Sequence, residues 1–162
     1  MAQSFATWGI GGALVASPVA IAACAGAIDA RVRRIPDGWV VGTLAPTAVM
    51  LAIAASDREL AQAAAAVAAG AVVFALPMLF VHLWSPAALG FGDVKLAAAL
   101  GAAIGLVEPR LGLIALCVAS GLTAAVGVAG RRRSLPLAPG LVVGAAVALV
   151  AGALTEMEFT WP

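Results

Sequence analysis

LAQAAAAVAAGAVVFALPMLFVHL, residues 60–83, contains no Asp, Glu, Lys or Arg, and its reading decides the fold. A helix rises about 1.5 Å per residue, so about 20 apolar residues cross a hydrocarbon core of roughly 30 Å. This run is long enough. Working outward, charged or turn-forming breaks mark five more apolar segments: Trp8 to Ile28, Trp39 to Ala55, Val94 to Val107, Leu111 to Ala129 and Leu137 to Leu154. The first, third and fifth segments have full spanning length. The second, fourth and sixth are shorter, and the fourth is expected to extend through Asp93 or to thin the bilayer locally. The chain of 162 residues is 64% hydrophobic and 10% charged, more apolar surface than a soluble domain of this size can turn inward. The expected fold is all-α: a polytopic membrane protein with about six transmembrane helices in a compact bundle, residues 1–162 forming one integral-membrane domain.

Nine Lys and Arg nearly cancel eight Asp and Glu, so net charge makes no case for nucleic acid as a partner. Their distribution is more informative. Arg31, Arg33, Arg34, Lys95, Arg131, Arg132 and Arg133 follow segments one, three and five, whereas Arg58 and Arg110 lie in the other loops. The positive-inside rule then predicts a multi-pass protein of the cytoplasmic membrane with both termini outside. Asp29, Asp37 and Asp93 fall on the cytoplasmic side, and Asp57, Glu59, Glu108, Glu156 and Glu158 read as solvated outer charges. The first segment reads as a retained span rather than a cleaved signal: it lacks a basic n-region, its apolar run is long, and Arg31 to Arg34 follow it.

Small residues shape the helices. Gly101 with Gly105, and Gly140 with Gly144, have GxxxG spacing and are expected to pack helices closely inside the bundle. Cys24 and Cys117 stand singly in separate apolar segments, which suits buried apolar residues and provides no CxxC zinc site. His82 has no ligand-spaced partner and reads as a packing or interfacial histidine, so no metal or cofactor is expected. Trp8, Trp39, Trp84 and Trp161 sit near segment boundaries, as interfacial anchors do.

Chemistry concentrates in GFGDVKL, residues 90–96. A carboxylate at the centre of a bilayer helix costs roughly 2.5–3.5 kcal/mol on insertion scales, so Asp93 beside two glycines is a candidate functional group. Asp29 closes segment one at the same expected depth. Two carboxylates within hydrogen-bonding distance cannot both stay ionised; one holds a proton, and the pair supplies a general base for water and a general acid for a leaving amine. Gly90 and Gly92 have no side chain to block an extended peptide and can take dihedrals closed to other residues. Pro36 disfavours helix at Ile35, so the chain after Asp29 is expected to turn through Ile35-Pro36-Asp37-Gly38, with Asp37 a turn residue. Other roles stay open on this pattern. Asp29 can pair with Arg33 four residues on, Asp93 can cap segment four, and Lys95 can set orientation or contact substrate.

GFGDVKL resembles the GxGDxKL signature of the type IV prepilin leader peptidases, and Asp29 with Arg31 to Arg34 and Ile35-Pro36-Asp37 resembles their first aspartate motif. Asp37 stands where many short members have asparagine. Leu135-Pro136-Leu137-Ala138-Pro139-Gly140 resembles, more weakly, the proline-containing start of their last helix. The resemblance covers nearly the whole chain and implies a single membrane-embedded aspartic endopeptidase domain. Such enzymes remove the leader of prepilin-like proteins at the cytoplasmic face. It implies Asp29 and Asp93 as the catalytic pair and Gly90, Gly92 and Lys95 as residues shaping the substrate site. The partners implied are prepilin-like membrane substrates and the lipid bilayer; no oligomeric state is implied. The cytosolic insertion with paired CxxC motifs that gives longer members N-methyltransferase activity is absent, which is similar to the short forms of tight-adherence pili or preflagellin processing. Two other readings remain: a small ion- or proton-coupled transporter, whose charges should lie near the midplane, and a non-catalytic pilus-assembly subunit.

Overall fold

The structure, a computed structural model, describes residues 16–28, 36–56, 60–86, 89–130 and 137–159. Among these are six helices and no strand: α1 (Ala16–Ile28), α2 (Asp37–Ser56), α3 (Leu60–Trp84), α4 (Phe91–Gly105), α5 (Leu111–Gly130) and α6 (Ala138–Phe159). Alanine and leucine favour the helical backbone throughout, and the breaks fall where charge, glycine or proline interrupts them. Pro36 directly precedes α2, and Trp39 N donates to the Pro36 carbonyl at 3.0 Å to close its first turn. The fourth helix starts at Phe91, so it extends through Asp93.

By length and composition, α3 and α5 are long and apolar enough to cross a membrane, and only 17% and 22% of their apolar windows are buried. Val72, Leu76 and Phe80 on α3, and Leu113, Ile114 and Val126 on α5, are exposed. Aqueous solvent disfavours such contiguous apolar faces; lipid accepts them. Over the described residues the apolar runs of α1 (Ala16–Ile28), α2 (Asp37–Ile53) and α6 (Ala138–Gly152) are shorter, and α4 has 15 residues. Cys24 and Cys117, expected to be buried, are both exposed. An apolar outer face takes a small thiol as readily as a core does, so apolar sequence context does not by itself mean burial.

Helix α4 is the centre of the bundle, packing against α2, α3, α5 and α6. Leu96, Leu100 and Ile104 are fully buried and join Phe74 of α3 and Leu141 of α6 in one apolar cluster. Glycine brings α3 and α4 together. A methyl added at Gly101 would fall 2.5 Å from the Gly70 carbonyl oxygen and 2.8 Å from Phe74 Cβ, and one at Gly105 would run into the Ala66 carbonyl. The second pair joins α6 to α5: a methyl at Gly140 would lie 2.9 Å from the Ala119 carbonyl oxygen, and one at Gly144 would meet the Ala115 carbonyl. Both GxxxG pairs therefore pack within the bundle.

The same contacts set the helix directions. A methyl on Gly152 would approach Leu111 Cδ1 at 2.7 Å and Val107 Cγ1 at 2.9 Å, which places the later part of α6 beside the α4–α5 turn. At the opposite end, a methyl on Gly26 would lie 3.5 Å from Pro139 N, so α1 finishes where α6 begins. The end of α3 and the starts of α2 and α4 meet at this end too, through the side-chain contacts described next.

Candidate active site

Asp93 is the third residue of α4, in the turn whose backbone N–H groups lack helical partners and favour a negative charge. Its own N–H donates to the Gly90 carbonyl at 3.1 Å, and its Oδ1 is buried while the residue as a whole keeps partial access. Gly90 has φ −68° and ψ 143°, an extended conformation open to any residue, so the backbone freedom expected of it is not used. Space is the relevant property: a Cβ on Gly90 would sit 3.7 Å from Asp93 Oδ2, directly beside the carboxylate. Gly92 lies between Phe91 and Asp93 in the same helical turn and is partly buried.

Lys95, one residue beyond Val94, extends its Nζ to Asp37 Oδ1 at 2.7 Å and lies 5.4 Å from the centre of the Phe91 ring. Asp37 is thus the first residue of α2 rather than part of a turn. Pro36 presets the backbone for a helix start, and an acidic first turn complements the helix dipole. Because α2 and α4 pack together with their starts at one end, the two side chains meet although they are 58 residues apart.

His82 completes the arrangement from the last turn of α3. Its Nδ1 lies 2.7 Å from the Leu89 carbonyl oxygen and its ring centre 5.4 Å from that of Phe91. The sequence alone presents His82 as a packing or interfacial histidine and shows no partner for Asp37. Both ties join elements distant in the chain, and neither leaves a local spacing signal.

Asp29, with Arg31 to Arg34 and Ile35, lies outside the described residues, as do Arg131 to Arg133, Trp8 and Trp161. Helix α1 ends at Ile28, the residue before Asp29, at the same end of the bundle as Asp93. Among the described residues, no three His, Cys, Asp or Glu side chains are grouped as metal ligands would be.

The Asp93 carboxylate thus lies beside an open glycine at the start of the central helix. The sequence profile of the type IV leader peptidase family matches residues 16–128 of the 162. The chain belongs to that family. The matched stretch takes in both GFGDVKL and the motif from Asp29 to Asp37. No curated protein and no solved structure matches the chain. Membership of the type IV leader peptidase family supports a protease activity, and with the apolar helices it marks a membrane protein. It does not favour the transporter reading.

Proposed function

We propose that this member of the type IV leader peptidase family is an aspartic endopeptidase. In this reading it removes the leader of prepilin-like membrane proteins at the cytoplasmic face. The family match across residues 16–128 carries the reading, because it covers both aspartate motifs at once. Asp29 and Asp93 are the proposed catalytic pair, and the common end reached by α1 and the start of α4 supports their pairing. The ionised carboxylate takes a proton from water as its oxygen bonds to the scissile carbonyl carbon. The protonated partner gives its proton to the departing amine as the C–N bond breaks. Gly90 leaves room beside Asp93 Oδ2 for the peptide backbone, Gly92 shares that role, and Lys95 shapes the rim of the site.

The proposed setting is one domain over residues 1–162 crossing the bilayer six times with both termini outside. The basic loops support the orientation. Helix α4, with 15 residues and a length of about 22 Å, is shorter than the hydrocarbon core, which suits a water-filled notch at its start. The test is co-expression with a prepilin-like protein from the same genome, followed by mass measurement of the product. Wild type should release the leader, whereas Asp29→Asn and Asp93→Asn should leave the precursor mass unchanged. Equal processing by both variants would remove the proposed pair.

A further inference from the structure

The N-cap of α4 is Gly90, which has no side chain to cap the first turn carrying Asp93 and ties to it through its backbone carbonyl. The strap Leu89-Gly90-Phe91 is held from α3 as well. Two consecutive carbonyls on it are engaged: Gly90 O accepts from Asp93 N at 3.1 Å, and Leu89 O lies 2.7 Å from His82 Nδ1. A carbonyl oxygen only accepts, so Nδ1 carries a hydrogen and donates it in this contact. The same imidazole packs on the Phe91 ring, so it grips the strap on both sides of Gly90. Leu89 itself is buried in the apolar cluster, which gives the carbonyl a fixed direction.

We propose that His82 is a positioning residue: its Nδ1–H, from the last turn of α3, fixes the Leu89–Phe91 strap and thereby the room between Gly90 and the Asp93 carboxylate. This rests on the peptidase reading of Asp93. A mere packing role would need the ring's bulk but no donor at Nδ1. The space in question borders the carboxylate directly, since a Cβ at Gly90 would lie in van der Waals contact with Asp93 Oδ2, at 3.7 Å. Misplacement of a reacting group by about 1 Å can lower a rate on the order of a hundredfold.

Two amides of different reach separate the donor from the bulk. In His82→Asn the side-chain N–H falls near the place of Nδ1, whereas in His82→Gln it falls near that of Nε2. The full chain, reconstituted in vesicles with a prepilin-like substrate, is assayed for kcat and KM of leader removal. Hydrogen exchange of residues 89–94 is followed in parallel, with α5 as the internal reference. His82→Gln should lose about tenfold or more in kcat with KM within about twofold, and its strap amides should exchange faster while α5 is unchanged. His82→Asn should stay within about threefold of wild type in kcat and keep wild-type exchange. Equal activity of the two variants, whether both high or both lost, overturns the proposal, and so does unaltered exchange of the strap in His82→Gln. Asp93→Asn, run alongside, keeps the two ideas apart. Leader removal by that variant at the wild-type rate would break the peptidase reading, while the exchange data would still judge the strap.

Discussion

The two ends of α4 look alike in sequence and differ in build. At its start, Lys95 reaches Asp37 of α2, His82 of α3 reaches Leu89, and the Asp93 carboxylate lies beside Gly90. Past its other end, the Glu108 and Arg110 side chains pair across one intervening residue, at 3.9 Å and mostly in the open. Three elements converge at the first end through polar contacts, whereas the acid–base side-chain pair at the second lies within one turn. The helix between them is anchored by backbone packing at Gly101 and Gly105. The end that carries Asp93 is thus joined to its neighbours by polar side chains, whereas the opposite end is held by close apposition of α3 and α6.

The largest contrast should appear in catalysis. Asp93→Asn removes a proposed acid–base group, and such groups contribute typically about 10²–10⁴ in rate, so leader removal measured by product mass should fall by that order. Glu108→Gln at the other end should leave it within about twofold. Comparable losses from the two substitutions would dissolve the contrast. The wild-type rate should also fall on both the acidic and the alkaline side, because the proposed pair shares one proton and either extreme removes a required form. A profile that rises or falls steadily across the accessible pH range would count against the pair.

A second test exchanges the roles of the ends. In Gly105→Ala the new methyl meets the Ala66 carbonyl and lies 3.1 Å from Val67 Cα, both backbone, so neither can rotate away. Overpacking of this kind costs about 1–3 kcal/mol, and the thermal midpoint should drop while kcat per folded molecule is kept. Gly121→Ala, where an added Cβ meets nothing within 4 Å, is the matched control and should not destabilise. An unchanged midpoint in Gly105→Ala would mean that the α3–α4 apposition is looser than the structure has it.

Much of this is legible in the sequence. The expected limits Leu60 to Leu83 and Leu111 to Ala129 differ by one residue from α3 (Leu60–Trp84) and α5 (Leu111–Gly130), because charged and proline breaks are strong local signals. Both GxxxG pairs were found by spacing, which a helix converts directly into one face. The central place of α4 was not legible, since its alanine-rich composition resembles that of the outer helices and lipid accepts the same residues as a core. Cys24 and Cys117 were misjudged for that reason. Of the two properties expected of Gly90, the special dihedrals are not used, whereas the lack of a side chain leaves open the space beside Asp93. The link from Asp37 to Lys95 needs two helices to be placed first, and no pattern within either motif encodes it.

The smallest expected effects lie in the two ion pairs, and they sharpen the comparison most finely. Lys95 and Asp37 are 40% and 78% exposed, and Arg110 and Glu108 are 91% and 51% exposed, so neither pair is a large source of stability. Exposed pairs typically contribute about 0.2–1 kcal/mol and are screened by salt. Stability alone will therefore not distinguish the ends. Position should, because Lys95 shares a helix turn with Asp93 and joins it to α2. Asp37→Ala should lower turnover a few-fold at low salt, with the loss shrinking as ionic strength rises, whereas Glu108→Ala should not change it. The charge swap Asp37→Lys with Lys95→Asp decides what the lysine does. Restored turnover in the swap means that the tie between α2 and α4 is what matters, since either polarity of the pair provides it. A swap worse than either single change means that positive charge at position 95 acts on the substrate itself, and Lys95 then belongs to the rim of the site rather than to its scaffold.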